Sequence, residues 1–250
     1  MTPRNRFSIA RLRRGVALLR RRGLAGNVHW FAAIIPYRLW LHFSPAGRRE
    51  LYFDTVNRVN TGKDDEVRPD IDVSGDRCDE IKPHEPTMPW RFLTAMRQVV
   101  QVDYSKFVFI DIGCGKGRAL LLAEQFPFKR VIGVELSPAL VDIARTNLAQ
   151  YGSQSEVICA EAGSYDLPRE PLVLYLYNPF VGSLFDSFIF RVEESIRLVP
   201  RPVYIVYNYP VCEARLSASP SFTRLASSRE LFPRLAREYE LFAVYAHLNG

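Results

Sequence analysis

Residues 107–118 read F-V-F-I-D-I-G-C-G-K-G-R, and this stretch limits the fold more than any other. An apolar run, Phe107 to Ile110 with Ile112, gives way to three glycines at alternate positions, Gly113, Gly115 and Gly117. An amphipathic segment, 118–126, follows at once. That succession predicts a buried strand, a tight turn and the start of a helix. Glycines in such a turn permit positive φ and let backbone N–H groups approach a ligand. Asp111, at the strand's carboxyl end, sits where open α/β sheets bind ligands.

The glycine spacing separates one cofactor class from another. A dinucleotide fingerprint needs a third glycine where Arg118 stands, and a P-loop needs Ser or Thr after Lys116, where Gly117 stands. What remains, acidic-x-G-x-G-x-G, resembles motif I of the class I S-adenosylmethionine-dependent methyltransferases. The rest of the chain agrees in its rhythm. Strands are expected at 130–136, 156–162, 172–177 and 203–207, with helices at 137–150 and 184–198 between them. Ser137 and Pro138 suit the N-cap and first turn of one helix, and Gly152 its end. Segments 221–225 and 239–247 read as an antiparallel pair. Continuous apolar strands alternating with helices imply a parallel sheet covered on both faces. The expected fold class is therefore α/β: a Rossmann-like, seven-stranded, mostly parallel sheet with helices on both faces, plus an N-terminal helical extension. The domain boundary is expected between a basic extension and linker, 1–85, and a methyltransferase domain, 86–250.

The net charge of +6 is unevenly spread. No acidic residue occurs before Glu50, and Arg11, Arg13, Arg14, Arg20, Arg21 and Arg22 are the densest basic part. The apolar run at 28–43 is broken by Pro36 and Arg38 and is too short to span a bilayer. Two readings of this arm stand: a helical cap on the catalytic domain, or an interfacial helix drawn to anionic lipid. Through Arg11–Arg22 it would also suit nucleic acid. The stretch 61–85 reads as a polar linker ending in the proline-rich K-P-H-E-P-T-M-P-W before a helix at 90–100. Four scattered cysteines, Cys78, Cys114, Cys159 and Cys212, form no C-x-x-C pair, which fits a reducing compartment and no metal. Cys114 reads as a small turn residue rather than a catalytic thiol. The expected location is the cytoplasm, with a peripheral membrane association if the arm is interfacial.

Glu135 ends the second strand 22 positions after Gly113, where a carboxylate can accept both ribose hydroxyls. The resemblance implies S-adenosyl-L-methionine as cofactor, held by Asp111, Gly113, Gly115, Gly117, Glu135, Leu136 and Glu161. In it, Glu161 lies near the adenine amino group and Asp111 near the methionine amino end. Asn178-Pro179-Phe180 resembles the Asp/Asn-Pro-Pro-Tyr/Phe motif of amino-group methyltransferases, which makes these three the catalytic candidates. His84-Glu85-Pro86-Thr87 resembles an aromatic-x-Pro-Ser/Thr segment that folds over the cofactor in related enzymes, with His in the aromatic position. The overall pattern is similar to the Dot1-like and ATP-synthase c-subunit lysine methyltransferases. The expected function is N-methyl transfer to a protein lysine or other amine, with Tyr175, Tyr177, Phe180, Tyr207 and Tyr209 as an aromatic lining. Two alternatives remain open: a non-catalytic cofactor-binding protein that docks through its basic arm, and a nucleic-acid methyltransferase.

Overall fold

A continuous apolar strand can be buried on both faces only inside a sheet with helices above and below. In the computed structural model the strand after Phe107, β1 (Val108–Ile112), has every residue buried. The structure describes residues 43–44, 47–48, 51–62, 80–100, 102–232 and 241–248. The basic arm 11–22, the apolar run as far as 42, most of the 61–85 linker and Cys78 lie outside the described residues. Among the described residues, the α-helices α1 (Phe53–Asn57) and α2 (Pro89–Met96) precede β1. After it come α3 (Arg118–Ala123), β2 (Arg130–Glu135), α4 (Pro138–Tyr151), β3 (Glu156–Cys159), β4 (Leu172–Tyr177), α5 (Gly182–Leu198) and β5 (Val203–Asn208). The chain ends with α6 (Glu213–Ser217), β6 (Thr223–Ser227), α7 (Ser228–Leu231) and β7 (Phe242–His247).

The seven strands form one sheet in the order β3-β2-β1-β4-β5-β7-β6. β1 to β5 run parallel, whereas β7 lies antiparallel to both β5 and β6. The α/β, Rossmann-like expectation holds, including the antiparallel pair. The strand order reverses between β1 and β4, and that crevice is where such sheets hold ligands. α4 begins and ends as its sequence demands: the Ser137 hydroxyl accepts from Leu140 N, Pro138 follows, and Gly152 closes the helix in the left-handed conformation. β6 starts two residues later than expected. Its end is set by a capping box in which Ser227 and Glu230 exchange side-chain and backbone bonds.

The two faces of the β1–β4 pair bury different things. Leu174, Leu176, Ile110 and Ile112 pack with Phe185, Phe188 and Ile189 of α5 in an apolar core. Tyr175 and Phe109 instead meet Phe92 of α2, with ring centroids 5.0 and 5.9 Å away. Aromatic contacts of this kind contribute about 0.5–1.5 kcal/mol beyond the area they bury.

Residues Asp54–Gly250 form one compact unit, which reaches back beyond the boundary expected at 86. The reason is a set of long-range polar bonds. Thr61 N and its hydroxyl both bond to the Asp54 carboxylate, and Arg118 donates to the Thr61 hydroxyl at 2.6 Å and to Asp54 at 3.1 Å. Asn147 of α4 accepts from Asn60 N at 2.8 Å and donates to the carbonyls of Asn60 and Lys116, both at 2.9 Å. Lys116, fully buried, donates to the Gly62 carbonyl at 3.1 Å. Residues 54–62 are thereby clasped to the glycine turn.

Asn147→Ala should lower the unfolding free energy by about 2–4 kcal/mol, because it leaves several buried backbone groups without partners. Denaturant melts check this. A loss under about 0.5 kcal/mol would mean that the clasp adds nothing to stability.

Candidate active site

The turn after β1 is shaped by what it must pass. Gly113 (φ +74°) runs so close to Pro179 that an added Cβ would lie 2.5 Å from the proline Cβ. Gly115 (φ +52°) lies under the His84 ring, 2.7 Å from its Cε1 to a Cβ placed there. No L side chain fits either position without displacing its neighbour. Gly117 has another job: in the left-handed conformation, it is the N-cap of α3. Beside the turn lies a cleft of about 390 Å³ at the carboxyl ends of β1, β2 and β4.

The cleft brings together Asp111, Gly113, Gly115, Glu135, Leu136, Glu161, Asn178, Pro179 and Phe180, nine of the ten residues expected to hold the cofactor or act in catalysis. Of those ten, Gly117 is not on its wall. Glu135 is 8% exposed, and its two oxygens accept from Gly115 N and Ser137 N, each at 2.9 Å. Burial raises its pKa, opposed by those backbone bonds. Asp111 is 3% exposed, and burial, with the Glu135 charge adding to it, holds its carboxyl well above the ordinary range. Glu161 is exposed at the mouth. The Cys114 thiol is buried and raised by desolvation, so it is a packed turn residue and not a nucleophile.

Asn178, after β4, is a non-glycine residue in the left-handed region, with φ +42°. Asn tolerates this better than most residues, yet the conformation costs free energy and persists only when its surroundings enforce it. Here the Tyr207 hydroxyl donates to Asn178 Oδ1 at 3.3 Å, and Lys82 N donates to the Pro179 carbonyl at 2.9 Å. That second bond belongs to an antiparallel bridge between Ile81 and Phe180, so residues 80–87 form a strap along the cleft.

The expected aromatic lining needs correction. Tyr177 and Phe180 reach the cleft, but Tyr175 and Tyr207 are completely buried within the sheet's layers, and Tyr209 is 39% exposed away from the cleft wall. Tyr207 stacks on Phe185 at 5.2 Å. Phe180 itself packs against Phe185 and Phe188, so most of its ring belongs to the core. Tyr177 accepts a hydrogen bond from Arg91, whose guanidinium lies 5.9 Å from its ring.

Sequence reading missed the strap's anchor. Glu80 accepts from Leu184 N at 2.8 Å and from the Ser183 hydroxyl, and its carbonyl accepts from Val181 N, which pins the strap to the start of α5. His84 and Thr87 both line the cleft, and His84 Nε2 lies 3.3 Å from the Thr61 carbonyl. Burial is the main cause lowering the His84 pKa, and the charges of Lys116 and Arg118 add to it. Its ring is therefore held neutral. The proline-rich stretch was the only local signal of the strap, and nothing local marked Asp54, Asn147 or Glu80.

Comparison with known proteins agrees with this geometry. Residues 109–180 match a family model described as a methyltransferase domain. A tRNA1(Val) (adenine(37)-N6)-methyltransferase of Porphyromonas gingivalis is 37% identical over 65 residues, 26% of each chain. A trans-aconitate 2-methyltransferase of Methylobacterium radiotolerans is 36% identical over 67 residues, 26% of this chain and 24% of that one. The chain thus spans about a quarter of the length of these curated relatives. The crystal structure of a proposed RNA methyltransferase from Pyrococcus horikoshii shares the fold, with a TM-score of 0.50 and 16% identity over 82% of this chain and 97% of that one. Residues 109–180 thus carry the pattern of a methyltransferase domain, which implies S-adenosylmethionine as the cofactor. These matches do not single out the Dot1-like and ATP-synthase c-subunit group. Among the described residues no helix is long and apolar enough to cross a membrane.

The residues present fit that cofactor on their own chemistry. Two buried acids, both raised by desolvation, want a cationic ligand, and the sulfonium and ammonium supply one. A pH test follows. Because the folded pKa of Asp111 lies above its unfolded value of about 3.9, its contribution to stability is complete below that pH and is lost as pH rises through the folded value. Asp111→Asn should therefore gain melting temperature over the wild type as pH goes from about 4 to 8 in ligand-free protein. A difference that stays constant with pH would show that Asp111 ionises normally.

Proposed function

We propose that the protein is an S-adenosylmethionine-dependent N-methyltransferase whose acceptor is an amino group on a nucleic-acid base. Asn178 carries this reading: a strained, buried amide at the switch point, next to the acid-lined cleft. Its Oδ1 accepts only the Tyr207 hydroxyl among the bonds above and retains a second lone pair for an acceptor's N–H. Bound S-adenosylmethionine supplies a methyl carbon activated by its sulfonium. The chain's part is alignment. Glu135 would hold the ribose hydroxyls with the lone pairs its two backbone bonds leave over, Asp111 the ammonium, and Glu161 the adenine side. The Gly113–Gly117 turn would let backbone N–H groups approach. Placing an amine in near-attack geometry can supply roughly 7–11 kcal/mol of the barrier.

Two observations favour a nucleic-acid acceptor. One relative with an identity of 37% is named for adenine in tRNA, and the chain's excess positive charge lies in an arm without acids. A second reading, transfer to a protein lysine, rests on Phe180. Its ring is turned into the core and Val181 follows it, so the loop itself offers no broad platform for a flat base. Tyr177 is then the aromatic wall.

Incubation with a labelled methyl donor and separate RNA, protein and small-molecule fractions should put label into RNA, and less as salt is raised. Label in protein alone would establish the lysine reading instead. Glu135→Ala should weaken S-adenosylhomocysteine binding by about 1.5–3 kcal/mol in calorimetry. Asn178→Ala should bind that ligand nearly normally while slowing transfer roughly 10²-fold. Wild-type turnover in that variant would leave Asn178 as a turn residue only.

A further inference from the structure

Two cations stand beside the Asn178 turn, one against the residue before it and one against the residue after. Neither has a part in the transfer described above. Lys82, half-buried on the cleft wall, donates its backbone N–H to the Pro179 carbonyl at 2.9 Å. Arg91 of α2 reaches Tyr177, with Nη1 3.4 Å from the hydroxyl of this cleft-wall residue. Among the described residues, Arg118, Arg130, Arg215 and Arg224 each meet a carboxylate, whereas Lys82 and Arg91 make no ion pair.

Arg91 is also unlike an arginine that serves the fold. Arg201 shows what that looks like: it is 3% exposed and donates to the Glu170, Ser195 and Val199 carbonyls and the Ser195 hydroxyl, at 2.7 to 3.0 Å. Arg91 Nε is buried with no hydrogen-bond partner, and its Nη2 has only the Met88 sulfur at 3.7 Å. Two rings hold the guanidinium instead, with the Trp90 and Tyr177 centroids 5.7 and 5.9 Å away. At the third position of α2 its charge also opposes the helix dipole. Stacking fixes where this cation stands and leaves most of its donors unspent. An anion that reached it would relieve that cost.

The position selects the anion. Asp111, Glu135 and Glu161 line the cleft from the ends of β1, β2 and β3, while Lys82 and Arg91 flank the turn after β4. Glu85, between the two cations in the chain, is exposed to solvent, which screens its charge. An acceptor whose amine reaches Asn178 therefore brings its neighbouring groups against two cations. A lysine side chain, charged on arrival, is opposed there. A nucleotide within a strand carries a phosphate on each side of its base and is attracted. We propose that Lys82 and Arg91 bind the backbone phosphates flanking the target nucleotide, so that the wall around Asn178 selects a nucleic-acid strand over a lysine. This rests on the reading of the acceptor as an amino group on a base.

Fluorescence anisotropy tests it, with the full chain, saturating S-adenosylhomocysteine and a short mixed-sequence single-stranded RNA as the probe. Arg91→Met and Lys82→Met should each weaken RNA binding about 5–20-fold and lower the slope of log affinity against log salt by about 0.7, the share of one phosphate contact. Arg91→Lys keeps the charge and should keep the wild-type slope. S-adenosylhomocysteine affinity, read by calorimetry, should change less than about 2-fold in all three. The basic arm is the same in every variant, so a difference in slope belongs to the substituted cation. Wild-type slopes in both methionine variants overturn the proposal. So does a loss in Arg91→Met that Arg91→Lys shares in full, which marks a stacking role. Should Arg91→Met fail to fold, the slope of Lys82→Met decides alone. Label transferred to RNA by the wild type, with unchanged slopes in the variants, removes the phosphate site and leaves the base acceptor standing. Label in protein alone removes both.

Discussion

The arrangement depends first on the Glu135 carboxylate. Each of its oxygens accepts one backbone N–H, from the turn after β1 and from the start of α4. A buried carboxylate is costly unless its hydrogen bonds are made, so these two bonds are what allow an acid at the end of β2. In return the acid ties two loops together, the glycine turn and the start of α4. Gly117 then caps α3 and Ser137 caps α4 with their helix starts held against the same cleft. A carboxylate has about four lone-pair sites and these two bonds use two of them, so on the wall of the cleft Glu135 keeps capacity to accept more.

The second constraint comes from outside the strand–helix alternation. Arg118 stands at the first turn of α3, where a positive charge opposes the helix dipole. Asp54 offsets this across 64 residues of chain, in a pair whose side chains are 11% and 28% exposed. Arg118 therefore stands where a dinucleotide fold has glycine and does a different job, anchoring the segment 54–62. The strap is fastened at its start by Glu80 at α5 and midway by His84 against Gly115 and the Thr61 carbonyl. The strap thus completes a cleft whose floor is made by the sheet, and segment 54–62 braces the glycine turn beside it.

This division explains which parts were legible in the sequence. The strands of the sheet, the glycine turn, the Ser137 cap and Glu135 announce themselves locally, through apolar runs, punctuation and fixed spacing. Asn147, Asp54 and Glu80 do not, because each acts on partners 87, 64 and 104 residues away. The aromatic residues fail for another reason. A strand such as β4 is buried on both faces, so its sequence carries no alternation to say which side faces the ligand. Tyr175, Tyr207 and Tyr177 read alike in the sequence, yet only Tyr177 meets the cleft. The turn residue Phe180 shows the same blindness, since an aromatic after Asn-Pro can fill a core as readily as a binding wall.

The face that was invisible in the sequence also sets the electrostatics. Phe109, Phe92 and Tyr175 form an aromatic layer under α2, and Asp111 stands at its edge, paired in register with Tyr175. Such a layer lowers the local dielectric, which strengthens any charge interaction made there and raises the cost of an unpaired charge. An acid so placed is a burden on the ligand-free protein. A cation that reaches it gains its own attraction and also removes that burden, so binding and folding draw on one electrostatic term. The aromatic packing therefore does more than hold α2 on the sheet. Around a buried Asp111 it would favour a ligand whose positive charge arrives at the β1–β4 end, and its three rings do so from behind the cleft wall.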